Sequence, residues 1–218
     1  IGKGLAEAYL FTNDPDHLAA LDLAGDFLLA KTSFSATDYE FAMKLDEIFG
    51  GTTYTSYVKA NYYDKLAAGT YTGKTGGPYS TQTYVNAVRA GRSGTQANMA
   101  AWDMGMLVAS AVNAGVADPD LGIWIAGLEA EINELYAGAD QTNYLAYDVI
   151  GLAGAVYGLA VAGVDFDPTA GEHATASSTA DLAAILASYQ INGGGFAWNK
   201  WWVIPDDFDE DMQATSYA

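Results

Sequence analysis

The sequence lacks cysteine entirely and has few basic residues. Without cysteine there is no disulfide framework, no thiol nucleophile and no cysteine-based zinc or iron–sulfur site. Only 9 Lys and Arg stand against 27 Asp and Glu, which gives a formal net charge of −18. A surface of this charge repels nucleic-acid phosphates and anionic membranes. We therefore expect no nucleic-acid partner.

A long hydrophobic segment is also lacking. The most apolar stretch, residues 149–164, is flanked by acids and is shorter than the roughly 20 apolar residues of a membrane span. Within it Gly151, Gly154 and Gly158 recur on one face of the helix that the stretch would form. Such small residues let a neighbouring helix approach closely. The sequence thus predicts a buried helix and no membrane span.

The sequence predicts an all-α fold. Half of its residues are hydrophobic and only 17% are charged, so the chain can form a core and is not of the disordered type. Apolar residues recur at helical spacing over most of the length, and the connections are short, which makes successive helices antiparallel neighbours. Residues 71–79 form a Gly-rich loop with room for a short hairpin. The predicted helices cover approximately residues 3–12, 16–31, 37–49, 54–67, 79–90, 97–115, 120–137, 143–162, 178–190 and 211 onward.

A diverged repeat marks the starts of several predicted helices. The dipeptide Trp102-Asp103 opens one of them, Tyr147-Asp148 opens another, and Asp211 begins a third. An acid in the first turn stabilises the positive end of the helix dipole, which is the simplest explanation of these residues. In a ring of helix hairpins, however, equivalent positions face the same end of the central cavity. Asp103, Asp148 and Asp211 are therefore our candidate catalytic acids.

The C-terminal part of the chain resembles a known superfamily. Residues 186–198, LASYQINGGGFAW, resemble the L-x-x-x-Q…G-G-F-x-W segment of terpenoid cyclases and protein prenyltransferases, and the QW repeat of squalene-type cyclases. Residues 211–218, DMQATSYA, are similar to the D-x-Q-x-T-x-Y-A start of the next inner helix in those proteins. In physical terms, Gln190 can cap neighbouring backbone while the glycines let the turn close against an aromatic ring.

This resemblance implies an α/α toroid, a barrel of helix hairpins, as one domain over residues 1–218. Because the last predicted helix stops short near Ala218, we expect the domain to continue beyond it in the full protein, or a partner or second copy to cover its open edge. The chemistry of the relatives fits less well. The zinc cysteine of prenyltransferases is missing, and Asp207-Phe208-Asp209-Glu210 has Glu where class II cyclases have the last Asp of D-x-D-D. A terpenoid cyclase-like enzyme is the least favoured function.

The same architecture occurs in polysaccharide lyases and glycosidases, which use carboxylates and aromatic platforms in an open groove. Sugar rings stack on such platforms, although the simpler explanation of most aromatic residues is that they form the core. The adjacent pair Trp201-Trp202 is the exception, because neighbouring loop residues cannot both be buried easily. The candidate ligand-binding residues are Trp102, Tyr147, Trp198, Trp201 and Trp202.

One acidic loop has oxygen donors in an alternating pattern. Asp207, Asp209 and Asp211 could supply the carboxylate ligands that calcium prefers. The EF-hand pattern fails because Met212 occupies the position that requires glycine. The alternative is a plain solvated loop. We expect that no cofactor is required, and calcium is the one metal with a candidate site.

Two functions remain open. The first is an exported or surface-associated binding or structural module, extracellular or periplasmic, that holds a partner protein or a glycan. The second is a carbohydrate-active enzyme, a polysaccharide lyase or glycoside hydrolase, that uses Asp103 and Asp148. We favour the first because acid–base catalysis needs a base with a suitable pKa. Neither of the two histidines, His17 and His173, is placed to act as that base. They lack metal-ligand spacing, and both are expected near the surface.

Overall fold

The structure is a computed structural model that describes residues 2–93, 96–135, 148–191 and 194–196. Within these ranges every regular element is a helix, which confirms the all-α prediction. Nine of the predicted helices fall in these ranges and correspond in position to observed helices, one of them to two, whereas the helix predicted from residue 211 onward lies outside the described residues. The helices are α1 (Gly2–Thr12), α2 (Pro15–Ala30), α3 (Ala36–Phe49), α4 (Thr53–Asn61), α5 (Tyr63–Ala67), α6 (Thr81–Arg89), α7 (Met99–Asn113), α8 (Asp120–Glu134), α9 (Asp148–Ala162) and α10 (Thr179–Ser188).

Polar side chains fix several helix starts. The Asp14 side chain accepts a hydrogen bond from the backbone N–H of Asp16 at 2.9 Å, immediately before α2. The Ser178 hydroxyl accepts one from the backbone N–H of Asp181 at 3.1 Å and caps α10. Such caps satisfy backbone donors that have no partner within the helix. They explain why the predicted starts of these helices lie within one residue of the observed ones.

The first unit comprises Ile1–Tyr84 and Asn113–Asp120. In it α1, α2 and α3 pack against one another, and α4 packs on both α2 and α3. The core between these helices contains side chains that solvent does not reach, among them Ala6, Leu21, Ala42, Leu45 and Val58.

A cluster of aromatic rings forms the remainder of this core. Tyr62 lies at its centre, fully buried, with ring centroids at 4.7 Å from Tyr63, 5.2 Å from Tyr71, 5.7 Å from Tyr84 and 6.1 Å from Phe34. Offset and edge-on pairs at these distances are favourable. Tyr62, with φ −118° and ψ −74°, separates two helices, α4 and α5, where the sequence predicted a single helix over residues 54–67.

The loop after α5 forms the short hairpin that the sequence allowed. The backbones of Tyr71 and Tyr79 exchange two hydrogen bonds, of 2.8 Å and 3.3 Å, in an isolated antiparallel bridge. The Tyr71 hydroxyl accepts a further bond of 2.9 Å from the backbone N–H of Phe34. The loop is thereby tied to the aromatic cluster.

The second unit comprises Val85–Val112 and Leu121–Ala218. Its α7 and α9 meet backbone to backbone at glycines. A Cβ atom on Gly105 would overlap the carbonyl oxygen of Gly154, and one on Gly158 would lie 2.7 Å from the Cα of Gly105. One on Gly151 would overlap the carbonyl oxygen of Asn98. The predicted small-residue face of α9 is therefore confirmed as a helix contact. In the described part of the chain, no helix has the length and apolarity to cross a membrane.

The contact between α7 and α9 predicts a large difference between two glycine substitutions. Gly105→Ala should lower the free energy of unfolding by about 1–3 kcal/mol, because backbone rather than a flexible side chain blocks the added methyl group. Gly4→Ala in α1, where nothing lies within 4 Å, should be neutral or should stabilise by up to about 1 kcal/mol. Urea unfolding followed by circular dichroism measures both. Equal effects of the two substitutions would contradict the observed packing.

Candidate functional site

The first repeat acid, Asp103, lies in an ion pair. The Arg92 guanidinium donates from Nε to Oδ2 at 2.8 Å and from Nη2 to Oδ1 at 3.2 Å, so both carboxylate oxygens are engaged. The pair is about one-third exposed. This bidentate geometry fixes the carboxylate in place. Asp103 thus has a structural partner that the sequence pattern did not indicate.

The second repeat acid, Asp148, is the first residue of α9 and is 3% exposed. Its Oδ1 accepts a hydrogen bond of 3.0 Å from the backbone N–H of Val149. Burial, and secondarily the nearby charge of Asp148, raises the pKa of Tyr189 to about 12. Asp148 therefore lies in the first turn of α9, where the dipole explanation places it. Asp103 does not open its helix as predicted, because it is the fifth residue of α7, whose first turn contains no acid.

Two of the tryptophans can be placed. Trp102 is half-buried in α7, and a Cβ atom on Gly154 would lie 2.7 Å from its ring. Trp124 is buried in α8. Both rings contribute to helix packing, as the simpler explanation of the aromatic residues proposes. The remaining candidate ligand-binding residues, Tyr147, Trp198, Trp201 and Trp202, lie outside the described residues.

Asp207, Asp209 and Asp211, the last of which is also the third candidate catalytic acid, lie outside the described residues. Within residues 2–93, 96–135, 148–191 and 194–196, no three His, Asp or Glu side chains are grouped so that they could hold a metal ion.

The expected surface position of His173 is wrong, since its side chain is only 3% exposed. Contacts with the end of α8 hold the loop that carries it. The Asn133 side chain accepts hydrogen bonds from the backbone N–H groups of Thr169 and Ala170, at 2.9 Å and 3.2 Å, and Glu172 donates its N–H to the carbonyl of Leu135 at 3.0 Å. Burial lowers the pKa of His173. The loop sequence gave no periodic signal from which this could be foreseen.

A second ion pair was also missed by the sequence pattern. The Arg89 guanidinium binds Glu131, which is buried, and Glu134, which is exposed. Burial raises the pKa of Glu131, and Arg89 opposes this effect. Arg89 and Arg92 are the basic residues in the described part of the second unit, and both are engaged with carboxylates.

The glycine-rich turn behaves as its residues suggested. The Gln190 side chain donates a hydrogen bond of 2.6 Å to the carbonyl of Gly194, whose φ of +92° favours glycine. The backbones of Gln190 and Phe196 form an antiparallel bridge, and Ile191 donates its N–H to Gly195 at 2.9 Å. The capping role predicted for Gln190 is therefore confirmed, and it is a structural role.

The first unit has an apolar surface that the sequence analysis did not single out. Seven large hydrophobic side chains are exposed among the described residues, and six of them belong to α1, α2 and α3. Phe11 is 90% exposed, Leu23 is 70% exposed and Phe27 is 69% exposed. We call these six residues the apolar surface. They are Leu10, Phe11, Leu23, Phe27, Met43 and Phe49.

A cavity of about 430 Å³ opens beside Phe27, between α1, α2 and α3. Ala24, Leu28 and Phe41 supply further apolar lining, and the polar lining comes from Lys3, Lys31, Thr37 and Asp38. The Lys3 ammonium binds Glu40 at 2.7 Å and the Lys31 ammonium binds Asp38 at 2.6 Å. The charges at this cavity are therefore balanced in pairs.

Burial of His173 predicts a pH dependence. The pKa of His173 in the folded chain lies below its ordinary value of 6.5. At a pH between these two pKa values, the unfolded chain binds a proton that the folded chain does not. The free energy of unfolding should fall as the pH is lowered below about 6.5. His173→Gln should remove this part of the loss between about pH 7.5 and pH 5.5, measured by urea unfolding. An unchanged pH dependence in His173→Gln would contradict the assignment.

Comparison of the chain with family models, with curated proteins and with solved structures gives no match. The resemblance to terpenoid cyclases and protein prenyltransferases therefore stays a hypothesis, drawn from residues 186–198 and 211–218. The function proposed below is therefore based on the positions of individual side chains.

Proposed function

We propose that the chain is an exported or surface-associated binding module that holds a partner protein on the apolar surface of α1–α3. The observation that carries this proposal is the concentration of six of the seven exposed large hydrophobic side chains in three consecutive helices. Scattered exposed apolar residues are normal, but a concentration of them typically marks an interaction site. Export is supported by composition alone.

The chemistry of this surface favours a protein over a glycan. Its large side chains are Phe, Leu and Met, which are apolar throughout and carry no hydrogen-bonding group. Phe and Met are enriched at protein interfaces. Sugar binding would need polar groups beside the rings. None of the six residues of the apolar surface is a Trp or Tyr, whose polar atoms could supply such groups. The exposed Tyr of the described residues, Tyr157, belongs to the second unit.

The side chains of the repeat acids favour a module over an enzyme. A lyase or glycosidase needs carboxylates that face an open groove. Arg92 engages both oxygens of Asp103, and Asp148 is buried at the start of α9. The observed positions of Asp103 and Asp148 therefore support a carbohydrate-active enzyme less than the sequence pattern did.

We further propose that these helices belong to an α/α toroid. Support comes from contacts between consecutive helices, α1 with α2, α2 with α3, α3 with α4 and α9 with α10. The glycine-rich turn that Gln190 closes is a second support, because the resemblance implies this device in such folds. In the proposed arrangement α1–α3 present the partner-binding face.

The binding proposal is testable with a displayed library of random peptides. Peptides selected on the wild-type protein should bind with dissociation constants on the order of micromolar. Leu23→Ser/Phe27→Ser should weaken them tenfold or more, because the two side chains supply exposed apolar area without supporting the core. Tyr157→Ser in α9, which is 43% exposed, is the matched control and should not change the affinity.

Two outcomes would overturn this proposal. One is selection of peptides whose affinity the double substitution leaves unchanged. The other is turnover of a polysaccharide in a substrate screen that disappears in Asp103→Asn, since this would transfer the function to the repeat acids. Circular dichroism of each variant establishes that the helices are retained.

A further inference from the structure

The kind of partner that binds the apolar surface can be specified further, and this inference rests on the proposed function. We infer that the partner presents an amphipathic helix whose basic side chains flank a row of bulky apolar ones, one of which enters the cavity between α1, α2 and α3. Three features of the first unit support this inference: a ridge of apolar side chains on α2, the cavity beside that ridge, and the charge along it.

The ridge consists of Leu23 and Phe27. They are four residues apart and so are neighbours on one face of α2, and about 70% of each is exposed. Ala20 and Ala30 extend the same face with small side chains and are also exposed. A straight apolar strip of this kind matches the apolar face of another helix, which places its own anchors at spacings of three and four.

The cavity lies directly beside the ridge, because Phe27 belongs to both. Ala24 is on its wall, Leu28 is buried, and Phe41 closes it from α3. A volume of about 430 Å³ falls in the range of cavities that hold small ligands, and it exceeds what one bulky side chain requires. Anchors that fill such pockets next to exposed aromatic rings supply most of the affinity of an interface.

The charge along the ridge is negative. Asp22 and Asp26 are exposed and form a parallel row beside Leu23 and Phe27, again at a spacing of four. In the part of the chain that the structure describes, neither acid forms an ion pair with Lys or Arg. By contrast, each of the three lysines on α1–α3 and the loop between them binds a carboxylate of the same unit.

This charge pattern favours a basic helix over a second copy of the chain as the partner on the apolar surface. A basic helix is attracted by the row of acids, which speeds its association and fixes its orientation. A second copy of this chain carries the same net charge of −18 and is repelled. An apolar ridge beside unpaired acids therefore suits a cationic partner better than self-association.

Two synthetic peptides test the inference by fluorescence anisotropy. One is a fluorescein-labelled amphipathic helix of Leu and Lys, and the other is its counterpart with every Lys replaced by Glu. The Leu/Lys peptide should bind at least tenfold more tightly than the Leu/Glu peptide. Phe27→Ala should weaken it about tenfold, and Ala24→Leu, which fills the cavity without removing a contact of the fold, should weaken it several-fold.

Matched charge variants separate the acid row from the general negative charge of the protein. Asp26→Asn should weaken the Leu/Lys peptide several-fold, and Asp22→Asn/Asp26→Asn should weaken it further. Asp167→Asn removes an exposed acid from the second unit and should leave the affinity unchanged. Equal effects of Asp26→Asn and Asp167→Asn would overturn the inference.

The remaining outcomes are equally decisive. Tight binding of the Leu/Glu peptide, or an unchanged affinity in Ala24→Leu, would overturn the inference. So would a dimer in sedimentation that Phe27→Ala dissolves, since a second copy would then be the occupant. If library peptides lose binding in Leu23→Ser/Phe27→Ser but carry no basic residues, the binding module stands and only this description of its partner fails.

Discussion

Close approach of helix backbones is the constraint on which the second unit depends. Its helices are rich in Gly and Ala, which offer little side-chain surface, so favourable dispersion contacts form only if the backbones themselves meet. Gly105 and Gly154 make that possible between α7 and α9. The positions of Trp102 and Asp103 follow from this contact, because both residues lie on α7 within one turn of Gly105. Asp103, one of the repeat acids, is thus positioned by helix packing.

The first unit is stabilised differently. Its core contains tilted and edge-on tyrosine rings around Tyr62, which bury large areas. Leu23 and Phe27 on α2 nevertheless remain exposed. Exposed side chains of this size are costly in water unless a partner covers them, which is why we place the function here.

Much of the fold was predictable from the sequence, because helix periods and caps are local signals. Asp14 and Ser178 mark helix starts to within one residue. The glycines on one face of α9 predicted that another helix packs closely against it. The side-chain partners were not predictable, since Arg92 and Asp103 meet only after the chain turns between two helices. The apolar surface was missed for a related reason. Periodicity shows that Leu23 and Phe27 share a face of α2, but not that this face remains uncovered.

Because the protein has few basic side chains, its stability depends on ionic strength. In the described part of the second unit two arginines stand among many carboxylates, so mutual repulsion of these acids opposes folding there. Dissolved salt screens that repulsion over distances of about 10 Å and so favours the folded state. The same screening weakens the attraction between the acids of α2 and a cationic helix. Salt would then stabilise the protein while it loosens the complex, and the best conditions for storing this protein differ from those for observing it bind.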